Sequence, residues 1–212
     1  MALFDSAIAL LQHILTFFYD MTASIGIPNY GIAIILVTLI IKLLLYPLTV
    51  KQVKGMKAMQ DLQPKMKELQ EKYKGNPEKL NKEMALLYKE SGVNPLSGCL
   101  PLLVQMPILM GIFFAIRDYQ YAQIPSFLWI ANLSHPDPLY ILPVLSAATT
   151  YVQQKQTSSD MNQQAKMMMT FMPLFIGYIS ITFPAGLVLY WVMSNAFQIA
   201  QQWWMYRGEA QK

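Results

Sequence analysis

Apolar residues in this chain come in long runs separated by one polar stretch and a few isolated charges. Tyr30 to Val50 is broken only by Lys42, and the windows between Glu90 and Arg117 and between Asp137 and Lys155 carry no charge. From Met167 to Tyr206 there are 40 uncharged residues, too many for one crossing, and the Phe183-Pro184-Ala185-Gly186 turn divides them into two helices. The pattern predicts an all-α integral membrane protein with five transmembrane helices and a helical hairpin at 51–92.

Two further helical patterns flank the first span. In residues 1–22, Leu3, Ala7, Leu10, Ile14 and Phe17 recur every three or four positions, with Asp5, Gln12, His13 and Asp20 elsewhere. This predicts an amphipathic helix in the interface, outside the core of 23–212, or an ordinary helix packed on the spans. It has neither the basic start nor the small-residue cleavage site of a signal peptide. In the hairpin, Val53, Met56, Met59, Leu62, Met66, Leu69 and Tyr73 form one apolar seam, continued by Leu80, Met84 and Leu87. Pro64 is expected to bend the first arm. Lys74-Gly75-Asn76-Pro77-Glu78 reads as a helix stop followed by a capped helix start.

Charge sets the orientation. The chain has 16 Lys and Arg against 12 Asp and Glu, and charged residues are only 13% of its 212 residues, well below the soluble average. Ten lysines lie between Lys51 and Lys89; Lys155, Lys166, Arg207 and Lys212 fall on the same side, while Asp5, Asp20, Asp118 and Asp137 mark the other. The positive-inside rule places the N-terminus outside and the C-terminus in the cytoplasm. Trp129, Trp203, Trp204 and Tyr206 fall near the expected interfaces. The basic hairpin could attract anionic headgroups, ribosomal RNA or neither. One cysteine, Cys99, excludes an internal disulfide.

Lys42 is the anomaly. Lysine at the bilayer centre costs at least ~2.5–3.5 kcal/mol on insertion scales, and the predicted spans contain no acid to pair with it. Thr38 lies one turn away on the same face. Gln153 and Gln154 end the third span, and Ser194, Asn195, Gln198, Gln201 and Gln202 stud the end of the fifth. Two readings remain: a polar cavity open to the cytoplasm and closed outside by side chains such as Trp191, or helix–helix hydrogen bonding. The sequence has no GxSxG, HExxH or glycine-rich phosphate loop and no carboxylate pair within a span. An enzyme is not expected, nor any catalytic residue, metal site or cofactor.

The stretches YGIAIILVTLIIKLLLYPL, NPLSGCLPLLVQMP, FLWIANLSHPDPLYILPVL and FPAGLVLYW resemble the YidC/Oxa family of membrane protein insertases, over about Tyr30 to Gln202. The resemblance is to a minimal bacterial form without a large periplasmic domain. It implies a multi-pass protein of the bacterial cell (inner) membrane, whose groove opens to cytoplasm and lipid and passes polar segments of incoming proteins. Relatives usually carry arginine where Lys42 stands; lysine keeps the charge without the bidentate fork. Thr38, Trp191, Gln153 and Asn195 match groove-lining positions, and Gln198 extends that face. The hairpin receives substrates or partners in relatives, which marks Lys65, Lys67, Lys72, Lys74 and Lys79 as its contact surface. Implied partners are nascent membrane proteins and lipids, with the secretion translocon, the ribosome and the signal recognition particle pathway as further candidates. No sequence-specific nucleic acid is expected. A small-anion transporter and a structural translocon subunit are the competing classes.

Overall fold

A computed structural model describes residues 2–94, 100–157 and 163–210. Residues 95–99 of the NPLSGCLPLLVQMP stretch, Lys212 and the side chains of Leu3, Lys166, Tyr206 and Arg207 lie outside the described set. The described residues form α1 (Ala2–Ser24), α2 (Tyr30–Leu44), α3 (Tyr46–Lys72), α4 (Pro77–Ser91), α5 (Leu100–Arg117), α6 (Ile141–Thr157), α7 (Gln163–Ser180) and α8 (Ala185–Ala210). The only β pairing among them is an isolated bridge between Phe127 and Ile130.

The first apolar run differs from its expected form. Pro47 has no amide hydrogen, and its ring disfavours helical geometry at the preceding residue. Accordingly α2 stops at Leu44, the chain turns by 65°, and α3 starts with Pro47 in its first turn. The uninterrupted span from Tyr30 to Val50 is thus corrected to a helix of 15 residues and a bend, about 22 Å of rise before the turn. Among the described residues no single helix is both long and apolar enough to cross a membrane; the bent pair α2–α3 meets that test together. Pro64 lies inside α3, which continues through it.

Packing runs in the order α5, α1, α2, α8, α6, α7, and α5 also reaches α8. α1 lies against α2 and α5, burying Leu15, Phe18 and Thr22. Ala7, Leu10 and Phe17, from the stripe read in the sequence, face outward instead, and Leu11 and Ile14 pack partly against the core. This helix is apolar on two adjacent faces, and the tertiary contacts select the one that a single stripe did not reveal. α6 and α7 are held by close approach: a Cβ on Gly177 would sit 2.9 Å from that of Ala147. The Ser146 and Ser180 hydroxyls, both buried, bond at 3.0 Å beside it. Facing outward are Leu103, Val144, Phe171, Leu174 and Tyr178, a surface suited to lipid.

One end of the bundle is closed by the α5–α6 connection. Tyr30 stacks on Tyr19 at 3.9 Å and meets Tyr119 and Tyr121 edge-on, while its hydroxyl accepts from Ala122 N–H at 2.9 Å. Burial pushes the Tyr121 phenol up to about 12. The α8 N-terminus is stitched to the same connection, since Ala185 N–H donates to the His135 carbonyl at 2.8 Å and Gly186 N–H to that of Leu133 at 2.9 Å. Gly186 makes this approach possible: a Cβ there would come within 3.4 Å of Ile116, Ile34 and the Leu133 carbonyl. Asp137, 2% exposed, fixes the start of α6. Its carboxylate accepts from Trp129 Nε1 at 3.0 Å, Leu139 N–H at 3.1 Å and Leu142 N–H at 2.7 Å, near the positive end of the helix dipole.

At the other end, α3 and α4 form the expected hairpin. Val53, Met56 and Leu62 are buried, and Met59, Met66, Leu69, Tyr73, Leu80, Met84 and Leu87 are half-buried along the predicted seam. Gly75 has φ +104° between the arms, and Asn76 caps α4 by accepting from Lys79 N–H at 3.1 Å. Asp137→Ala, by orphaning the buried Leu142 N–H and the part-buried Trp129 and Leu139 donors, is expected to destabilise the protein by about 2–4 kcal/mol. Asp137→Asn should lie between the two. Unfolding titrations in mixed micelles would show this, and equal stability of all three proteins would contradict it.

Candidate functional site

At the end of α2, the bend at Leu45 resolves how Lys42 is tolerated. With the helix ending at Leu44, Lys42 occupies the last turn rather than the middle of a long span. That turn carries the negative end of the helix dipole, which favours a cation. Lys42 is 8% exposed, and its Nζ donates to Gln198 Oε1 on α8 at 3.1 Å. The Lys42 carbonyl in turn accepts from Gln201 Nε2 at 3.4 Å. The charge is therefore held by a neutral amide and a helix end, with no acid required.

The seam extends from this contact along α8. Asn195, Gln198 and Gln202 recur at spacings of three and four, so they share one face, and all three are buried. Asn195 Nδ2 donates to Thr150 Oγ1 at 3.0 Å and to Thr149 Oγ1 at 3.2 Å on α6. Trp191, half-buried, donates from Nε1 to the same Thr150 oxygen at 3.1 Å. Thr38 is fully buried one turn before Lys42, its hydroxyl donating to the Ile34 carbonyl at 2.7 Å. Thr49 and Gln52, at the root of α3, are also buried. Gln153 is half-buried on α6, one turn beyond Thr150.

The structure thus joins Lys42 to Gln198, and Trp191 to Asn195 through Thr150. It places Thr38 on the Lys42 face and Gln153 on the helix that carries Thr150. In this state the polar side chains meet one another across α2, α6 and α8, so the hydrogen-bonding reading of the sequence describes this conformation. Trp191 takes part through its indole N–H rather than only as an apolar stopper. Sequence reasoning missed Thr149 and Thr150. Their signal was a pair of hydroxyls in an uncharged window, one turn before Gln153. Gln202 is wholly buried, with neither amide atom hydrogen-bonded.

The hairpin lysines are a separate surface. Lys65, Lys67, Lys72, Lys74 and Lys79 are all exposed. Near the tip, the Lys72 and Lys79 amines lie 5.4 and 5.5 Å from the centre of the Tyr73 ring, cation–π distances that gather positive charge around one aromatic. No group of three or more His, Cys, Asp or Glu side chains suited to a metal occurs among the described residues.

Gln198→Leu should cost about 2–4 kcal/mol by leaving the Lys42 amine without that acceptor. Lys42→Met in the same chain should recover most of it, a coupling of about 1.5–3 kcal/mol. A double-mutant cycle on unfolding in micelles measures the term, and simple additivity would refute the pairing.

A family model described as "60Kd inner membrane protein" matches residues 21–212. "Membrane protein insertase YidC" of Alkalihalophilus pseudofirmus is 47% identical over 180 residues, covering 82% of this chain and 71% of that protein. "Membrane protein insertase YidC 2" of Bacillus anthracis is 46% identical over 200 residues, covering 91% and 76%. "Membrane protein insertase YidC" of Citrifermentans bemidjiense is 42% identical over 201 residues, 94% of this chain but only 36% of that relative. The chain therefore spans about a third of the length of some relatives and about three quarters of others. A solved structure titled "Active YidC insertase crystal structure with the first transmembrane domain resolved" superposes with a TM-score of 0.72 at 31% identity, covering 91% of this chain and 45% of that one.

Proposed function

This chain belongs to the family of 60Kd inner membrane proteins, and from that premise we propose that it is a membrane protein insertase that also helps its clients fold. The observation that carries the reading is a buried polar seam containing one cation, Lys42, inside a bundle whose outer surface is apolar. A polar segment of an incoming protein exchanges water for the seam's amides and hydroxyls, while its apolar helix moves into lipid beside α6 and α8. The groups assigned to this task are Lys42, Thr38, Gln153, Trp191, Asn195 and Gln198. Lys42 favours acidic tails, because a fixed positive charge in a medium of low dielectric attracts an anion far more strongly than it would in water.

The arrangement fits five crossings made by α2, α5, α6, α7 and α8, with α1 on the outer side. Asp20 and Asp118 lie at the end closed by the tyrosine cluster, whereas the lysine-rich α3–α4 hairpin leaves from the other. The positive-inside rule then puts the hairpin and the C-terminus in the cytoplasm and the N-terminus outside. In that place Lys65, Lys67, Lys72, Lys74 and Lys79 form the surface that meets nascent chains, ribosomes, the signal recognition particle pathway or the secretion translocon. Anionic lipid headgroups compete for the same charge. With α2 only 15 residues long and α6 only 17, the helices rise about 22–26 Å against ~30 Å of hydrocarbon. Local thinning of the bilayer shortens the path further.

Liposomes containing this protein alone test the reading. A single-span client with an acidic tail should gain protease protection, and Lys42→Ala should reduce that protection roughly tenfold, Lys42→Arg much less. Protection equal to that of empty liposomes would count against an autonomous insertase. An equal effect of Lys42→Ala on acidic and neutral tails would remove the electrostatic role.

A further inference from the structure

One oxygen atom on α6 ties two side chains of α8. Thr150 Oγ1, on a side chain 4% exposed, accepts from Trp191 Nε1 at 3.1 Å and from Asn195 Nδ2 at 3.0 Å. A hydroxyl oxygen has two lone pairs, so both are occupied by donors from successive turns of α8. Thr149 adds only the longer contact to Asn195, at 3.2 Å. Two turns on from Asn195 along the same face, Gln202 is completely buried with both amide atoms unpaired. Leaving such groups without partners is unfavourable. The seam is thus tied at Thr150 and penalised at Gln202.

We propose that Thr150 is a positioning residue, a latch that keeps α6 closed over the polar face of α8 until an extended polar segment of a client supplies replacement hydrogen bonds. The inference rests on the insertase reading above and adds the conformational class of the segment recognised. An extended backbone presents free carbonyls and N–H groups in alternation. The carbonyls satisfy Trp191 and Asn195 once Thr150 withdraws, and the pair together satisfies Gln202. A helix has already used its backbone groups internally and offers neither. The seam therefore opens for the unfolded polar tail of a client and not for its membrane-spanning helix. α7 travels with α6, since Gly177 against Ala147 and the Ser146–Ser180 bond join the two.

The test is cysteine labelling in lipid nanodiscs, which leave both faces open to a water-soluble maleimide. Cys99→Ser removes the native thiol, and Gln202→Cys places the probe where no existing hydrogen bond is lost. Labelling should be slow in this background, several-fold faster with Thr150→Val, and unchanged with Thr150→Ser, which keeps the oxygen. Thr149→Val should have a smaller effect. A second probe, Ala33→Cys, fully buried in the core on α2, distinguishes local opening from general loosening and should not respond to Thr150→Val. Equal rates for Thr150→Val and its parent, equal acceleration by Thr150→Ser, or equal acceleration of the Ala33→Cys probe would each overturn the latch. No client is present in this experiment, so its result stands apart from the insertion assay. An insertion failure alongside Val-specific labelling would count against the insertase reading alone.

Discussion

The rest of the site depends on where α2 ends. Had it continued to Val50, Lys42 would sit mid-helix, every carbonyl around it already bonded and its amine in an apolar layer. Pro47 ends the helix early, and the last turn, at the negative end of the helix dipole, supplies the potential that favours a buried ammonium. The 65° turn then carries α3 away from the bundle axis, with Thr49 and Gln52 buried at its root. One imino acid thus explains the tolerated charge, the short helix and the direction in which the hairpin leaves.

The two ends of the bundle are built on different principles. At the tyrosine end each polar group is satisfied by fixed geometry: Asp137 by three donors, the first amides of α8 by the His135 and Leu133 carbonyls, and Tyr30 by Ala122. At the lysine end the partners are side-chain amides and hydroxyls with several rotamers, and Gln202 has none. A bundle clamped at one end and loosely paired at the other can part its helices only from the loose end.

Periodicity made several elements legible. The hairpin seam from Val53 to Leu87, the stop and start at Gly75 and Asn76, and the turn before α8 can all be read from spacing and turn chemistry. The clustering of Asn195, Gln198 and Lys42 followed from placing rare polar residues on helical faces. What escaped was set by contacts between distant segments. Residues 1–22 offer two adjacent apolar faces, and only packing on α2 and α5 chooses the buried one. The break at Leu45 was signalled by Pro47 but masked by a hydrophobic run strong enough to suggest one continuous span. The part played by Thr150 depends on the rotation of α6 against α8, which no single-helix pattern encodes.

The hairpin has a consequence for how such a chain can diverge. α4 packs mainly on α3, and α3 meets the bundle at α2, α5 and α6, while the apolar seam between the two arms is internal to them. Beyond its root, the arm folds on its own contacts and displays its lysines on a surface that the bundle does not use. Its charge pattern can therefore drift, or be reshaped for a new docking partner, without disturbing the seam around Lys42. The exposed lysines of the hairpin and the buried seam around Lys42 are structurally separable in this architecture, open to independent selection.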